Sequence, residues 1–405
     1  MNYDLLFLVI FGLVVLGIML LNRKRTEFQK IVFPFLYMII YRTKLGLSNM
    51  DKLAKRFPKT LTVLSYISIG IGYIGMAFIT FFLFKGLYDV IFFNAPSPVG
   101  LVLPGVETVP ELPKLSFWHW IISIFVLASV HEFSHGVFAR LNKIKVKSSG
   151  FALLGIILPV VPAAFVEPDE KSMAKASKKA QLSVLAAGSF ANFLTAVVAF
   201  LIFGFLLGPA AANMIETTGI VIAGMEEGGP AELSGVQINE SIIAINDVPI
   251  ETIDQFKEEM NQYAPYEKVS IQTESATYYI ALEESPEDSS MGHMGIFLSP
   301  KEQIYNPEIE AKYGAFGIKA FIWLTLLFSW LFIINLGVGM FNLLPLGILD
   351  GGKMFYLAIL HFTKNESLTN KIWKYTNIIL VMVLLALILP QLYNTLIAPL
   401  INSFI

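Results

Sequence analysis

Residues 117–139 read FWHWIISIFVLASVHEFSHGVFA, an apolar run that carries two histidines and a glutamate near its end. About 20 apolar residues suffice for a helix to cross the roughly 30 Å hydrocarbon layer of a bilayer. Ionisable side chains are costly at that depth and generally serve a function there. The stretch therefore predicts a membrane-spanning helix with a functional site built into it.

The ionisable residues of this functional site are His131, Glu132 and His135. Two histidines four positions apart lie on one face of a helix, one turn above the other, and can bind one metal ion together. The glutamate beside the first histidine can take a proton from an attacking water. A structural pair of buried histidines is the alternative, but three such side chains in one span are too costly without a function.

The composition of the whole chain agrees with a membrane protein. Of 405 residues, 55% are hydrophobic and 15% are charged, whereas soluble chains are about 45–50% apolar and about 25% charged. Nucleic-acid binding, disorder and secretion are therefore poor interpretations. The chain has no cysteine, which excludes disulfides, iron–sulfur clusters, thiolate zinc sites and a cysteine nucleophile. Any metal must bind to His, Asp or Glu.

Six segments are apolar and long enough to cross the membrane, which predicts an α-helical polytopic membrane protein. They are residues 3–22, 62–84, 117–139, 182–207, 318–340 and 373–393. The first is not expected to be a cleavable signal peptide, because no basic region precedes it and Arg23, Lys24 and Arg25 follow it. Three more apolar stretches are too short or too broken to span simply, namely 31–41, 150–166 and 343–362.

Residues 150–166 are predicted to form a re-entrant hairpin. Two glycines and two prolines argue against a continuous helix, and non-helical chain at membrane depth must lie against protein or a wet cavity. An exposed edge of this hairpin could pair with an extended peptide by strand addition. A proline at Leu154 or Ile156 would then weaken that pairing and the activity that depends on it, if the N–H that it removes faces the peptide.

The uneven distribution of basic residues predicts the orientation. Segments 23–60, 140–181 and 342–374 hold 22 of the 29 Lys and Arg residues, which places them in the cytoplasm and both termini outside. Residues 209–317, on the outer side, hold 19 Asp and Glu against 4 Lys, a net charge of −15. His131 precedes Arg140 by about 13 Å along a helix that rises 1.5 Å per residue. The histidines are therefore expected in the cytoplasmic half of the membrane.

Residues 218–300 predict a small α+β domain on the outer side. Short alternating runs at 242–245, 269–271 and 278–282 indicate strands. One helix is expected over 253–260, with an acidic residue near its start.

A metal site with two histidines needs a third ligand and an open position for water. The best candidate is Asp350, in the run Asn342–Gly352 (NLLPLGILDGG), where Pro345 and Gly347 break the fifth predicted span. A carboxylate at a break in a helix within apolar sequence typically faces a polar cavity. The alternative is that Asp350 only caps a helix that begins near Gly352.

These motifs resemble those of the site-2 protease family of intramembrane zinc metalloproteases. The resemblance rests on His-Glu-x-x-His at 131–135 and on Asn-x-x-Pro-x-x-x-Leu-Asp-Gly at 342–351. The segment Ala186–Asn192 (AAGSFAN) is similar to the family's Gly-x-x-x-Asn helix, in which Asn192 either bonds to another helix or contacts the substrate. Residues 165–169 (FVEPD) are similar to a cytoplasmic segment of archaeal members. That segment and the absence of cysteine point to a prokaryotic cell membrane.

The resemblance implies one zinc ion bound by His131, His135 and Asp350, with Glu132 as the base. It also implies that Asn342 holds the substrate or stabilises the oxyanion by donating a hydrogen bond. The substrates would be single-span transmembrane proteins, cut within or near their membrane helices. The oligomeric state is left open.

The outer insert resembles a circularly permuted PDZ domain of the type associated with proteases. The resemblance rests on residues 229–236 (GPAELSGV) and 242–247 (IIAIND). Asn239 and Asn246-Asp247 stand where the family has glycine-containing turns, and both residue types tolerate φ > 0. Such a domain would gate or recognise substrates.

The sequence thus predicts five regions. They are an N-terminal membrane region (1–116), a first part of the catalytic core (117–207), the PDZ-like domain (218–300), a second part of the core (318–362) and a C-terminal span (363–405).

Two other functions fit parts of the sequence. One is a membrane-anchored zincin that cuts soluble or misfolded proteins, which would need its motif helix outside the bilayer and a glutamate as third ligand. The other is a PDZ-bearing membrane scaffold without catalysis. The placement of the motif in a span argues against the first, and the intact set of four ionisable residues argues against the second.

The orientation can be tested with single introduced cysteines, because the chain has no cysteine of its own. Positions in 140–181 and 364–374 should react with an impermeant thiol reagent only from the cytoplasmic face, and positions in 240–300 only from outside. Labelling of residue 260 from the cytoplasm would contradict the orientation derived from the basic residues.

Overall fold

Two compact units make up the computed structural model of the chain. The membrane unit comprises Met1–Phe205 and Leu326–Ile405, and the insert unit comprises Leu206–Thr325. The structure describes residues 3–21, 26–32, 36–100, 102–104, 113–156, 158–286 and 288–392.

Twelve α-helices and twelve strands occur within these described residues. The helices are α1 (Tyr3–Leu21), α2 (Leu47–Arg56), α3 (Pro58–Phe93), α4 (Phe117–Leu141), α5 (Glu170–Lys175), α6 (Lys178–Ile202), α7 (Gly208–Ala212), α8 (Pro230–Leu233), α9 (Ile253–Met260), α10 (Pro307–Phe341), α11 (Asp350–Thr363) and α12 (Glu366–Leu392). The strands are β1 (Thr26–Val32), β2 (Leu36–Thr43), β3 (Val146–Ile156), β4 (Leu158–Pro168), β5 (Ile215–Met225), β6 (Ser241–Ile245), β7 (Val248–Pro249), β8 (Lys268–Thr273), β9 (Thr277–Ala281), β10 (Glu283–Glu284), β11 (Gly292–His293) and β12 (Ile296–Tyr305).

Five of the described helical segments are long and apolar enough to cross a membrane. They are α3, α4, the run Lys178–Ala212, α10 and α12. A π-helical turn, Phe203–Leu207, joins α6 to α7 within that run. The remaining predicted span forms α1, whose described apolar part, Leu6–Gly17, is shorter than a span. An integral membrane protein is confirmed, while the count of six spans stays a prediction.

The broken apolar stretches of the N-terminal half form a sheet. Strands β1 to β4 pair antiparallel in the order β1-β2-β3-β4. Residues 150–166 lie in the β3–β4 hairpin, so the predicted hairpin is present; its depth in the membrane stays a prediction. The stretch 31–41 falls on β1 and β2, apart from residues 33–35, which lie outside the described residues. Helix α1 packs on one face of this sheet.

The open edge of the sheet is not where the sequence placed it. Leu154 pairs with Met38 on β2 and with Val161 on β4, so β3 is an interior strand. The prediction that Leu154 or Ile156 offers an N–H to a substrate is therefore wrong, because both residues are paired on either side within the sheet. Among the described strands, β1 and β4 are the two edges of this sheet, and the open edge of the hairpin belongs to β4, which pairs with β3 alone.

The insert unit is built on a second sheet, with strand order β12-β5-β6-β8-β9 and with β7 paired to β6. The predicted strands are confirmed as β6, β8 and β9, and the predicted helix as α9. A capping box at Thr252 and Gln255 starts this helix. Asn246 and Asp247 have φ of 45° and 65° and form the turn of the β6–β7 hairpin.

The sheet of the insert unit encloses an apolar core. Fully buried side chains from four strands and α9 pack together in it, namely Ile220, Ile222, Ile242, Ile245, Phe256, Val269, Ile271 and Ile280. The sheet runs from Ile215 to Tyr305, whose Cα atoms are paired between β5 and β12. It therefore extends past both limits of the predicted 218–300 domain.

Candidate metal centre

Helix α4 carries both histidines on one buried face. Its N-terminus is capped by the hydroxyl of Ser116, which accepts a hydrogen bond from the backbone N–H of His119. His131 and His135 are each 8% exposed, and their ring centroids are 4.7 Å apart. The spacing of four residues therefore brings the rings together, as expected from the sequence.

The carboxylate of Asp350 reaches both histidine rings. Its Oδ2 lies 3.2 Å from Nε2 of His131 and 3.1 Å from Nε2 of His135. The residue that precedes α11 is Leu349, and no side chain caps the helix. The alternative in which Asp350 only caps a helix that begins near Gly352 is therefore wrong.

A tight connection between α10 and α11 places this carboxylate. The N–H of Gly351 donates to the backbone carbonyl of Asn342 at 2.9 Å. A Cβ at Gly351 would lie 2.1 Å from the carbonyl oxygen of Leu343, and one at Gly352 would lie 1.9 Å from that of Leu346. Only glycine fits at these two positions, which explains the Gly-Gly pair after Asp350.

Helix α6 holds the outer nitrogen of each histidine. Nδ1 of His135 lies 2.7 Å from the carbonyl oxygen of Val184 and donates to it. Nδ1 of His131 lies 3.0 Å from the side-chain nitrogen, Nδ2, of Asn192, which is fully buried. A Cβ at Gly188 would lie 2.5 Å from Nε2 of both histidines. Gly188 therefore allows α6 to approach the rings.

Glu132 lies beside the histidines and is held by the free edge of β4. The backbone N–H of Val166 donates to its Oε2 at 2.8 Å. One ligand atom from each of His131, Glu132 and His135 lies within 4.8 Å of the other two. The carboxylate is therefore close to the site of an ion, while Asp350 is the carboxylate in direct contact with both rings.

A cavity of about 810 Å³ opens onto these residues. Its lining includes Glu132, Asp350 and Asn342, so the structure places the fifth predicted residue at the same cavity. Arg42 and Glu167 also line it and form an ion pair. The hydrogen bond from Ser148, together with the Arg42 guanidinium, keeps the pKa of Glu167 below its usual value, so this wall is charged at neutral pH.

The donor set fits a zinc ion. Catalytic zinc sites have three protein ligands, and two histidines with one carboxylate are a common set, bound at about 2.0–2.2 Å. Tetrahedral ligand atoms at about 2.0–2.1 Å from the ion lie about 3.3 Å from one another. The two measured separations, 3.1 and 3.2 Å, agree with that value. His131, His135 and Asp350 could therefore hold the metal and leave a position open toward the cavity.

The sequence predicted that Asn192 either bonds to another helix or contacts the substrate, and its contact with His131 confirms the first alternative. It did not reveal the other supporting contacts, those of Val184 and of β4. The Gly-x-x-x-Asn spacing of Gly188 and Asn192 equals that of His131 and His135, so two matching helical faces were already visible in it. The hydrogen bond from Val166 to Glu132 could not be predicted from the sequence. Every non-proline residue has a backbone N–H, and only the fold determines which of them meets the glutamate.

Comparisons with known proteins agree with the metal centre. The model of the family described as Peptidase family M50 matches residues 119–387. An uncharacterized protein of Methanocaldococcus jannaschii is 31% identical over 325 residues, which cover 77% of this chain and 75% of that protein. A "putative zinc metalloprotease" of Clostridium acetobutylicum is 29% identical over 161 residues, or 34% of this chain and 45% of that protein.

Proposed function

The chain belongs to Peptidase family M50 and is thus, at family level, a membrane zinc metalloprotease, and we propose that it is an intramembrane protease of the site-2 type. Its substrates are single-span transmembrane proteins, which it cuts within or near their membrane helices. The observation that carries this proposal is that the Asp350 carboxylate contacts both His131 and His135, which lie with Glu132 on the 25-residue apolar helix α4. A peptide bond can reach these groups only at membrane depth if α4 spans the bilayer.

Glu132 acts as the general base in this proposal. Zinc, when bound, polarises the scissile carbonyl and makes water a stronger nucleophile at neutral pH. The Val166 N–H holds Oε2 of Glu132, which leaves Oε1 free to take a proton from the attacking water. Glu132 then gives this proton to the amide nitrogen as the C–N bond breaks, so that the new carboxyl and amine ends balance.

Asn342 stabilises the developing oxyanion or holds the substrate. Its side chain lines the cavity with Glu132 and Asp350, and its own backbone carbonyl is bonded to Gly351, the residue after Asp350. This backbone hydrogen bond fixes how far Asn342, the proposed amide donor, lies in space from Asp350, the proposed third ligand. A neutral donor in a low-dielectric site stabilises negative charge that develops during the reaction.

The location of the chemistry follows from the distribution of basic residues. We place the metal centre toward the cytoplasmic side of a prokaryotic cell membrane and the insert unit outside. Of the eight Lys and Arg residues of 140–181, Arg140 lies in the last turn of α4 and seven follow the helix, so the end of α4 nearer the histidines is the cytoplasmic one.

Substitution of Glu132 separates chemistry from metal binding. Glu132→Gln should abolish cleavage of a single-span substrate and retain about one zinc per chain, because it removes the base and no ligand. Asp350→Ala and His135→Ala should lose zinc and activity together, since a site with three protein ligands tolerates no vacancy. The measurements are metal content of the purified protein and cleavage in proteoliposomes. Full zinc occupancy in Asp350→Ala would contradict the third ligand.

The free edge of β4 is the part of the sheet that can bind an unwound substrate. In an antiparallel pair, alternate residues direct their N–H and C=O groups away from the partner strand. The N–H of Val166 points away from β3, to Glu132, so the N–H and C=O of Ala164 point the same way. Pro162, two residues earlier, lacks an N–H, as is common on edge strands. Ala164 also lines the cavity.

A proline at the open edge tests substrate pairing. Ala164→Pro removes the N–H that we expect a substrate carbonyl to accept from, and cleavage should fall at least tenfold with zinc retained. Ala164→Val keeps that N–H and adds a side chain suited to a strand, so it is the matched control for bulk. Turnover of Ala164→Pro equal to that of Ala164→Val would exclude strand addition at this residue.

The insert unit acts as a gating domain in this proposal. Its edge strand β12 follows Gly295, which has φ of 70°, and this turn is where a PDZ-like domain would bind a chain end. The Glu226 carboxylate already lies at this turn, held by His293 at 2.9 Å, and its Oε2 is 3.3 Å from where a Cβ of Gly295 would be. An anion here disfavours a terminal carboxylate, which supports exclusion of bulky substrates over recognition of substrate tails.

Removal of the insert unit distinguishes exclusion from recognition. The N–H of Asn306 donates to the carbonyl of Met214 at 3.0 Å, so a short Gly-Ser linker can replace Ile215–Tyr305 without separating the flanking segments. If the unit excludes, the deletion should speed cleavage of substrates with large outer domains and leave short-tailed substrates unchanged. Slower cleavage of short-tailed substrates would show a receptor instead, and no change with either would leave the unit without a role in proteolysis.

A further inference from the structure

Two helices present matching faces at the metal centre. On α4 the histidines are four residues apart, and on α6 Val184, Gly188 and Asn192 follow one another at the same spacing. Residues at this spacing lie one turn above each other on a single face. Val184 therefore faces His135, Asn192 faces His131, and Gly188 lies between them, as the measured contacts show.

The two histidines differ in what holds them. His135 donates its Nδ1–H to a backbone carbonyl, an acceptor that no substitution can remove. His131 relies on the side chain of Asn192. A neutral imidazole that binds a metal through Nε2 carries its proton on Nδ1, and this N–H needs an acceptor.

The amide of Asn192 can supply that acceptor in only one orientation. An amide has an oxygen that accepts and a nitrogen that donates, and the two are nearly identical in shape. The structure places the amide nitrogen, Nδ2, 3.0 Å from Nδ1 of His131, and it leaves the oxygen, Oδ1, buried without a hydrogen-bond partner. In that orientation Nδ1 of His131 must accept, the ring proton moves to Nε2, and Nε2 can no longer bind a metal. With the oxygen toward His131, Nε2 keeps its lone pair for the ion.

We propose that Asn192 is a positioning residue whose Oδ1 accepts the Nδ1–H of His131 and so fixes the metal-binding tautomer of that ring. This inference rests on the proposed function, because it takes His131 as a zinc ligand. It gives a physical role to both ends of the Gly188-x-x-x-Asn192 segment: the glycine lets α6 approach the rings, and the asparagine orients the ring of His131. Residues that orient a ligating histidine typically contribute 10–100-fold in metal affinity.

Three variants of the full-length protein in detergent test the assignment. Asn192→Leu keeps the approximate shape and removes the acceptor, so zinc affinity, measured by competition with a chelator, should fall 10–100-fold. Asn192→Asp keeps an acceptor and has no N–H, so it should bind zinc within a few-fold of the wild type. Asn335→Leu is the matched control, because Asn335 is an equally buried amide on α10 whose nitrogen bonds to Leu331; it should bind zinc as the wild type does.

The visible absorption spectrum of the Co²⁺-substituted protein is the second measurement. A ring that binds in a changed orientation alters the ligand field, so the bands should shift in Asn192→Leu and remain in Asn192→Asp and Asn335→Leu. This spectrum does not depend on proteolysis. A loss of packing alone would lower thermal stability in both leucine variants without moving the bands.

The outcomes separate this inference from the proposed function. Wild-type protein that binds no zinc would overturn the ligand set itself. Wild-type protein that binds zinc, with Asn192→Leu equal to it in affinity and spectrum, would overturn only the role of Asn192. If Asn192→Leu does not fold, Asn192→Asp decides alone: retained affinity supports an accepting Oδ1, and a loss of tenfold or more would show that the amide nitrogen is the required group.

Discussion

The close approach of α6 to α4 is the constraint on which the rest of the site depends. Two imidazole rings inside an apolar bundle must have their outer nitrogens bonded, because an unpaired polar group in such surroundings costs free energy that nothing else recovers. The bonds come from Val184 and Asn192, one helical turn to either side of Gly188. Any side chain at Gly188 would occupy the space of the ring nitrogens. Gly188 is therefore required for both hydrogen bonds to the histidines, and these bonds hold the two rings where Asp350 contacts them.

Much of this arrangement could be predicted from local pattern. The long helices follow from apolar length, and the pairing of His131 with His135 follows from the helical period, because both signals lie within one element. The helix α9 and the three predicted strands of the insert unit were also recognisable, since alternation and turn residues are local. Asp350 was predicted from the conflict between a carboxylate and its apolar surroundings, and the structure brings it to the histidines although 215 residues separate it from His135.

The four-stranded sheet could not be assembled from the sequence. Strand β2 pairs with β3 although more than 100 residues separate Thr43 from Ser149, and no local period encodes a partner at that distance. Without β2, the β3–β4 hairpin has two free edges, and the sequence offers no reason to prefer one. The pairing of β2 closes the edge at Leu154 and leaves the edge at Ala164 open. The hairpin itself was therefore predicted correctly, and the error lay in not knowing that β2 pairs with β3.

In the proposed function, the hydrogen bond between Glu132 on α4 and this open edge links substrate binding to the chemistry. A transmembrane helix satisfies its own backbone hydrogen bonds, so a segment unwound for cleavage needs replacement partners in surroundings that lack water. The outward groups of Ala164 can provide them, and Val166, two residues further along the same edge, already holds Glu132. Residues two apart on a strand are separated by about 6.6–6.8 Å. A substrate strand paired at Ala164 would therefore place one of its peptide bonds within about two residues, along the strand, of the position where Val166 holds Glu132.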